Sequence, residues 1–416
     1  MVSPTQSALS PEAATQIAYL RSPRAIRDRC QQLFDLACRD RLAHFRCDLS
    51  QLEATAAYVL HVTQQTYPDL NVPFHSRWRH FEGGDRLAYL ANQLAPLSPL
   101  EQAQAKFDLA IVSVLLDAGA GPTWAYTEPG SGQVHHRSEG LAVASFWMVA
   151  QGLFSSQRDR PWQADAIALQ ALTPAQLATG FQATPTNPLV GLTGRATLLN
   201  QLGHCLTHNP QLFGHDLPRP GHLVPYLLNQ AVEGKLAAAT VLEAVLAGFS
   251  DIWPSRHTLH GVNLGDVWPH SALATDSPFA AFVPFHKLSQ WLTYSLLEPL
   301  TELGLEITGL DELTGLPEYR NGGLCLDLGL LQPKDPAILQ VAHAPSSEVI
   351  VEWRSLTVIL LDAIAATLRQ RLGQTAIELP LVKVLQGGTW AAGRHLAAQR
   401  RNGLPPLQIE SDGTVF

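Results

Sequence analysis

Charge is scarce in this chain, and what there is runs negative. Only 15% of its 416 residues are Asp, Glu, Lys or Arg, against 46% apolar, and the net charge is −8. So apolar a composition excludes a disordered, solvating protein. So acidic a balance argues against a nucleic-acid binder held by phosphate attraction, although a local basic pocket remains compatible with it. The five cysteines (Cys30, Cys38, Cys47, Cys205, Cys325) include no Cys-x-x-Cys pair. That leaves neither a zinc ribbon nor a redox dithiol, and reduced structural thiols of a cytoplasmic protein are expected. No stretch approaches the ~18 uninterrupted apolar residues of a membrane span, and the N-terminus lacks a basic-then-apolar signal pattern. A P-loop, a G-x-G-x-x-G turn after a strand, and a G-x-S-x-G elbow are all missing. So is any convincing repeat of about 20–50 residues.

What is present is helical punctuation. Ser10-Pro11 and Ser22-Pro23 each set an N-cap residue before a proline at the first helical position. Ala- and Leu-rich segments with apolar residues three and four apart then follow one another, while alternating strand patterns are rare. The fold class expected is mainly α, a compact multi-helix arrangement. A small hairpin around His260-Gly261, within 257–265, and a loosely alternating, extended stretch at Gly323–Leu328 are its β ornament. Residues 1–22 read as an N-terminal arm with a helix and 23–416 as one helical catalytic-type domain. A soft internal boundary falls near 210–220, where Pro and Gly break the rhythm.

One segment stands out, Val283 to Leu300. It reads as a helix entered through Pro284, with Leu288, Leu292 and Leu296 on a core-facing stripe that Trp291 and Leu300 widen. Lys287, Gln290 and Tyr294 share another face, flanked by His286 and Ser289. So polar a row faces either bulk water or an enclosed pocket.

Other polar and aromatic residues crowd into a few short stretches. Val72–Gly84 carries His75, Arg77, Trp78, Arg79 and His80, and its guanidinium forks suit a phosphate or carboxylate; a surface loop anchored by Trp78 is the plainer alternative. Around a Gly-rich break sit Asp117, Trp124, Tyr126 and Glu139. Asp251–His270 holds Asp266, Trp268 and three histidines. Glu318-Tyr319-Arg320-Asn321 is a loop with a carboxylate, a phenol, a guanidinium and an amide side by side. Glu352 and Arg354 lie in a strongly apolar helix, where a buried structural ion pair is the plainer alternative. Gly387-Gly388 opens the last helix with amides available to an anion.

Several of these segments, in this order, resemble the uracil-catabolism family. They are VPFHSRWRHF at 72–81, DLAIVSVLLDAGAG at 108–121, RSEGLAVAS at 137–145, GVNLGDVW at 261–268, VPFHKLSQWLTYSLLEP from Val283, LTGLPEYRNGGL at 313–324, VEWRSLTV at 351–358 and GGTWAAGR at 387–394. The resemblance runs from about Arg24 to the closing SDGTVF. It implies a pathway that degrades uracil through a nucleotide, with ribosylurea-type intermediates. A fainter resemblance, to the queuosine-nucleotide N-glycosylase family, rests on Pro284-Phe285-His286-Lys287 with Gln290, on Leu313-Thr314 with Glu318-Tyr319-Arg320, and on Ser346-Ser347 with Glu352-Trp353-Arg354. It implies an all-helical fold akin to DNA glycosylases and cleavage of an N-glycosidic bond.

The expected activity is therefore hydrolysis of a ribosyl or ribose-phosphate compound. Glu318, Glu352 and Asp266 are the candidate catalytic carboxylates. His286, Lys287, Gln290, Tyr319, Asn321 and Trp268 are the candidate substrate contacts, with Arg320, Arg354 and Arg77 for an anionic group. No metal or other cofactor is called for, and the partner expected is a small nucleoside- or nucleotide-derived molecule, without nucleic acid or membrane. Two alternatives stand beside this reading. One is a metal-dependent amidohydrolase or deaminase using His75, His80, His257, His260 or His270, and the other is a non-enzymatic pathway scaffold.

Overall fold

The computed structural model describes residues 9–410 apart from 118, 122, 254–256 and 276. The first eight residues of the expected arm and the closing SDGTVF at 411–416 lie outside them.

Helix starts follow the local chemistry of the chain. The Ser10 hydroxyl accepts the Ala13 amide and begins Pro11–Leu20, and the Ser22 hydroxyl does the same for Ala25 and begins Pro23–Cys38. Ser98 and Glu101 form a reciprocal capping box at the start of Pro99–Leu115, which satisfies two of the amides that a helix N-terminus leaves open.

Two helices organise the interior. Glu348–Leu372 is almost continuously buried from Val349 to Leu361, as its apolar sequence demands, and it packs on Pro23–Cys38, Leu52–Thr66 and Tyr319–Asp327. Lys287–Glu302 packs on Pro99–Leu115 and Ala238–Phe249. One hydrophobic cluster reaches from Ile26 to Leu407. A smaller one joins Leu20 to Leu264, Val267 and Phe282, so the first helix is moored to the strands before Lys287. Near 210–220 the helical rhythm does break, but Arg219 pairs there with the buried Asp108 of Pro99–Leu115.

Strands occur only as two-stranded ornaments among the described residues. The hairpin pairs Thr258–Leu259 with Val262–Asn263. His260 and Gly261 both have positive φ, 52° and 79°, the geometry of a tight two-residue turn.

Three local expectations are corrected. Gly323–Leu328 is not extended but belongs to the helix Tyr319–Asp327. Glu318 caps that helix, and its glycines answer tertiary packing: a Cβ on Gly322 would lie 2.5 Å from the Trp353 ring. Gly387 and Gly388 do not open a helix with free amides. They lie in a π-helical turn, Leu385–Thr389, running into Trp390–Arg401, and they let Val59, Thr63 and Val72 approach closely. Finally, the helix expected from Pro284 begins three residues later, at Lys287.

Candidate active site

The late start at Lys287 has a tertiary cause. Phe282–Pro284 pairs as a strand with Val267–Pro269, and the chain then turns through His286 at φ 47°. Asp266 captures the amides freed by that turn. Its carbonyl accepts the Phe285 N–H at 2.9 Å, and its Oδ2 accepts the Lys287 N–H at 3.1 Å. A residue twenty-one positions upstream thus acts as the helix cap. Arg354 donates to both oxygens of Asp266 at 2.7 Å, and Trp268 Nε1 donates at 2.8 Å. Burial works against charge on this carboxyl, but the Arg354 guanidinium and these hydrogen bonds outweigh it and hold its pKa well below the usual carboxylate range.

The polar row of this helix divides. Gln290 accepts the Thr314 N–H at 2.9 Å and donates to the Thr314 hydroxyl at 2.6 Å and to the Phe285 carbonyl at 3.2 Å. Tyr294 donates to the Thr314 carbonyl at 3.0 Å. Both side chains are spent on fixing the segment that leads to Glu318. His286 Nε2 donates to the Leu20 carbonyl at 2.8 Å, away from that segment.

Lys287 is different. It lines a half-open cleft of about 100 Å3 together with Glu318, Asp117, Tyr319, Arg320 and Trp390. Among the described residues its ammonium makes no hydrogen bond or ion pair. Burial lowers its pKa, opposed by the nearby charges of Glu318 and Asp117. A half-buried cation at the positive end of a helix, without a direct partner, is unfavourable by itself. Such a group is the kind that a bound anion or polar ligand would satisfy.

Glu318 faces Lys287 from the next element. Its carboxylate accepts the amides of Arg320 at 2.9 Å and Asn321 at 2.6 Å, capping Tyr319–Asp327. Burial raises its pKa, with Lys287 and the two amides pulling the other way. Asn321 is buried behind it and donates to the Leu316 carbonyl at 3.0 Å. The Arg320 guanidinium lies over two rings, 5.1 Å from the Tyr319 centroid and 5.7 Å from Trp390.

The opposite wall comes from the first half of the chain. Asp117 is held by Arg77 at 2.7 Å. Arg77 is fully buried and is itself braced by donating to the Ser113 hydroxyl at 2.7 Å. His75 and His80 also line the cleft. Burial pushes His75 down to about 4, and burial with the Arg77 charge pushes His80 down to about 3, so both rings are neutral at neutral pH. His75 Nδ1 meets the amide oxygen of Gln386 at 2.8 Å, which places the proton on that nitrogen. At the mouth, Glu139 pairs with Arg394 at 2.8 Å.

Of the residues singled out from sequence, then, Glu318, Lys287, Tyr319 and Arg320 meet in one cleft. Asp266, Trp268 and Arg354 form the corner beneath the helix start. Arg77, Gln290, Asn321 and His286 lie behind the walls. Glu352 is elsewhere, its carboxylate accepting the amides of Ala43, His44 and Phe45 at 3.0–3.1 Å. Of the five histidines of the metal alternative, His75 and His80 share the cleft and the other three lie apart from them. His257 lies edge-on to Trp268, His260 meets Gln16 at 2.9 Å, and His270 lies 3.5 Å from Glu352. No group of three His, Cys, Asp or Glu side chains suited to a metal occurs among the described residues. Asp117, Trp291 and Trp390 went unassigned in the sequence. Asp117 stood in a stretch noted for its polarity, and Trp291 was hidden by its place on an apolar stripe.

Two other hollows, over Arg160 and Arg219, are roomier but bring together no lysine and buried carboxylate. No helix among the described residues is long and apolar enough to cross a membrane.

Fold and site together define a helical protein with a polar, aromatic-walled cleft. The chain belongs to the family described as Protein of unknown function (DUF1688), which it matches over residues 19–416. It is 40% identical over 415 residues to Protein urg3 of Schizosaccharomyces pombe, covering 96% of this chain and 99% of that one. It is 36% identical over 437 residues to Uracil catabolism protein 4 of Lachancea kluyveri, with the same coverage of each.

Proposed function

We propose that this protein acts in uracil catabolism as a hydrolase that breaks the N-glycosidic bond of a ribosyl or ribose-phosphate compound, one carrying a urea-like group. The observation that carries the reading is the meeting in one cleft of Glu318, whose pKa burial raises, with the unpartnered ammonium of Lys287. The name of the Lachancea relative, Uracil catabolism protein 4, supports the pathway.

In this reading the bond between C1′ and nitrogen breaks with its electron pair leaving on nitrogen. Protonated Glu318 gives its proton to that nitrogen. Water then adds its oxygen to C1′, and the proton it releases returns to Glu318. One carboxyl thus serves as acid and then as base. Tyr319 and Trp390 offer faces to the planar leaving group, while Lys287 and Arg320 offer charge to its carbonyl oxygen or to a sugar phosphate.

The test is incubation with ribosylurea, its 5′-phosphate and related nucleotides, followed by assay for free ribose or ribose phosphate. Glu318→Gln should lower kcat by about 10²-fold or more. It should cost only about 1 kcal/mol of stability as a weakened cap. Unchanged single-turnover cleavage in that variant would refute the role.

A further inference from the structure

Oxocarbenium character at C1′ calls for a fixed anion beside the sugar, and of the three carboxylates chosen from sequence only Glu318 lines the cleft. A second carboxylate is there, and it is built in. Asp117 lies two residues past the helix Pro99–Leu115, at the Gly-rich break, and only 6% of its side chain is exposed. Arg77 grips it at 2.7 Å, and Ser113 accepts from Arg77 through both its hydroxyl, at 2.7 Å, and its carbonyl, at 3.2 Å. The Ser113 hydroxyl is itself 2.6 Å from that of Ser145. A guanidinium so tethered leaves Asp117 little freedom to turn. The support spans three segments that meet only in the folded protein.

Two further observations mark this wall as facing a ligand. The Lys287 ammonium, whose charge interacts with Asp117, makes no hydrogen bond or ion pair among the described residues. The indole N–H of Trp291, whose ring lies 5.5 Å from the Arg77 guanidinium, is buried without a hydrogen-bond partner. An ammonium without a direct partner and an unpaired indole N–H, on residues that line one cleft with Asp117, suit a polar ligand that brings acceptors for the first two and positive charge for the third.

We propose that Asp117 is the catalytic anion facing the anomeric carbon, with Arg77 as its positioning residue, so that the cleft selects a ribosyl group that gains positive charge as its bond to nitrogen breaks. This rests on the N-glycosidic reading above. Asp117 forms no covalent bond and moves no proton. It offsets charge while Glu318 handles the proton and water supplies the oxygen.

The probes are a protonated iminoribitol, which carries the positive charge of the oxocarbenium ion, and neutral 1,4-anhydroribitol, which has the same ring without it. Calorimetry on the full chain should show the cation bound at least about 10-fold more tightly. Asp117→Asn should abolish that preference while changing affinity for the neutral ring less than about twofold. It should also lower kcat on any cleaved ribosyl substrate by about 10²–10³-fold with KM little changed. If Asp117→Asn folds poorly because Arg77 is stranded, the double variant Arg77→Met with Asp117→Asn removes the stranded charge and should lose the same preference. Wild type without the preference, a variant that keeps it, or equal loss for both probes would overturn the assignment; the last would mean contact with sugar hydroxyls. A wild type that prefers the cation through Asp117 but releases no ribose from any ribosyl compound would refute the hydrolytic reading and the catalytic role with it, leaving Asp117 as a cation-binding carboxylate only.

Discussion

Removing the Asp266 carboxylate, by substitution to alanine, separates a structural role from a catalytic one. Four side-chain hydrogen bonds converge on it: two from Arg354 at 2.7 Å, one from Trp268 at 2.8 Å and one from the Lys287 amide at 3.1 Å. Arg354 is 1% exposed, so the substitution takes the carboxylate away from a buried guanidinium that keeps its bond to the Pro317 carbonyl. Breaking such a pair from one side costs about 3–5 kcal/mol. Because 16% of the Asp266 side chain still reaches solvent, the lower end applies, about 3 kcal/mol, more than a hundredfold in the folding equilibrium. Changing Arg354 to Met in the same chain removes the buried charge that lost its carboxylate, and the double variant should regain at least half of the loss. Urea unfolding followed by tryptophan fluorescence at pH 7 measures all three proteins. The pH dependence has a definite sign. The folded-state pKa of Asp266 lies below its unfolded value near 3.9. Its contribution is therefore complete above about pH 4–5 and is lost as pH falls toward the folded value, and the wild-type advantage over the double variant should shrink in acid. A single variant within about 1 kcal/mol of wild type, or a double variant as unstable as the single, would refute this account of the corner.

Two further outcomes are expected. His75 is neutral in the fold, its pKa pushed down to about 4 against an unfolded value near 6.5, so below pH 6.5 the unfolded chain binds the extra proton. That contribution is present above pH 6.5 and lost as pH falls toward 4. Wild type should lose about 2 kcal/mol from this ring between pH 7 and pH 5, and His75→Gln should show a visibly flatter pH profile in thermal melts, an equal slope counting against it. Gly393→Ala would drive a Cβ into the Arg320 carbonyl, where Trp390–Arg401 packs on Tyr319–Asp327. A loss of about 1–3 kcal/mol is expected, together with a raised KM as Arg320 shifts. A melting curve and KM that match wild type would show that the two helices are not held in close contact.

Legibility followed distance along the chain. Ser10, Ser22 and Ser98 announce their helices because a cap bonds an amide three residues away. Glu318 could be singled out for the same kind of reason, being two and three residues from the amides it accepts. Asp266 and Glu352, charged residues in apolar company, looked equally chemical. Their partners lie 88 and more than 300 positions away, and only those partners reveal that their lone pairs are engaged.

By itself the sequence determined the helical character of the protein, its hairpin turn and the chemical weight of the Lys287 and Glu318 segments, since capping and apolar periodicity act over a few residues. Tertiary structure alone decided which charges line the cleft. Lys287 is unpaired because Asp266, which takes its amide, is bound to Arg354, and Asp117 enters the cleft because Arg77 and Ser113 hold it there. A charged side chain becomes a brace or a functional group according to what packs against it, and here that packing joins segments far apart in the chain.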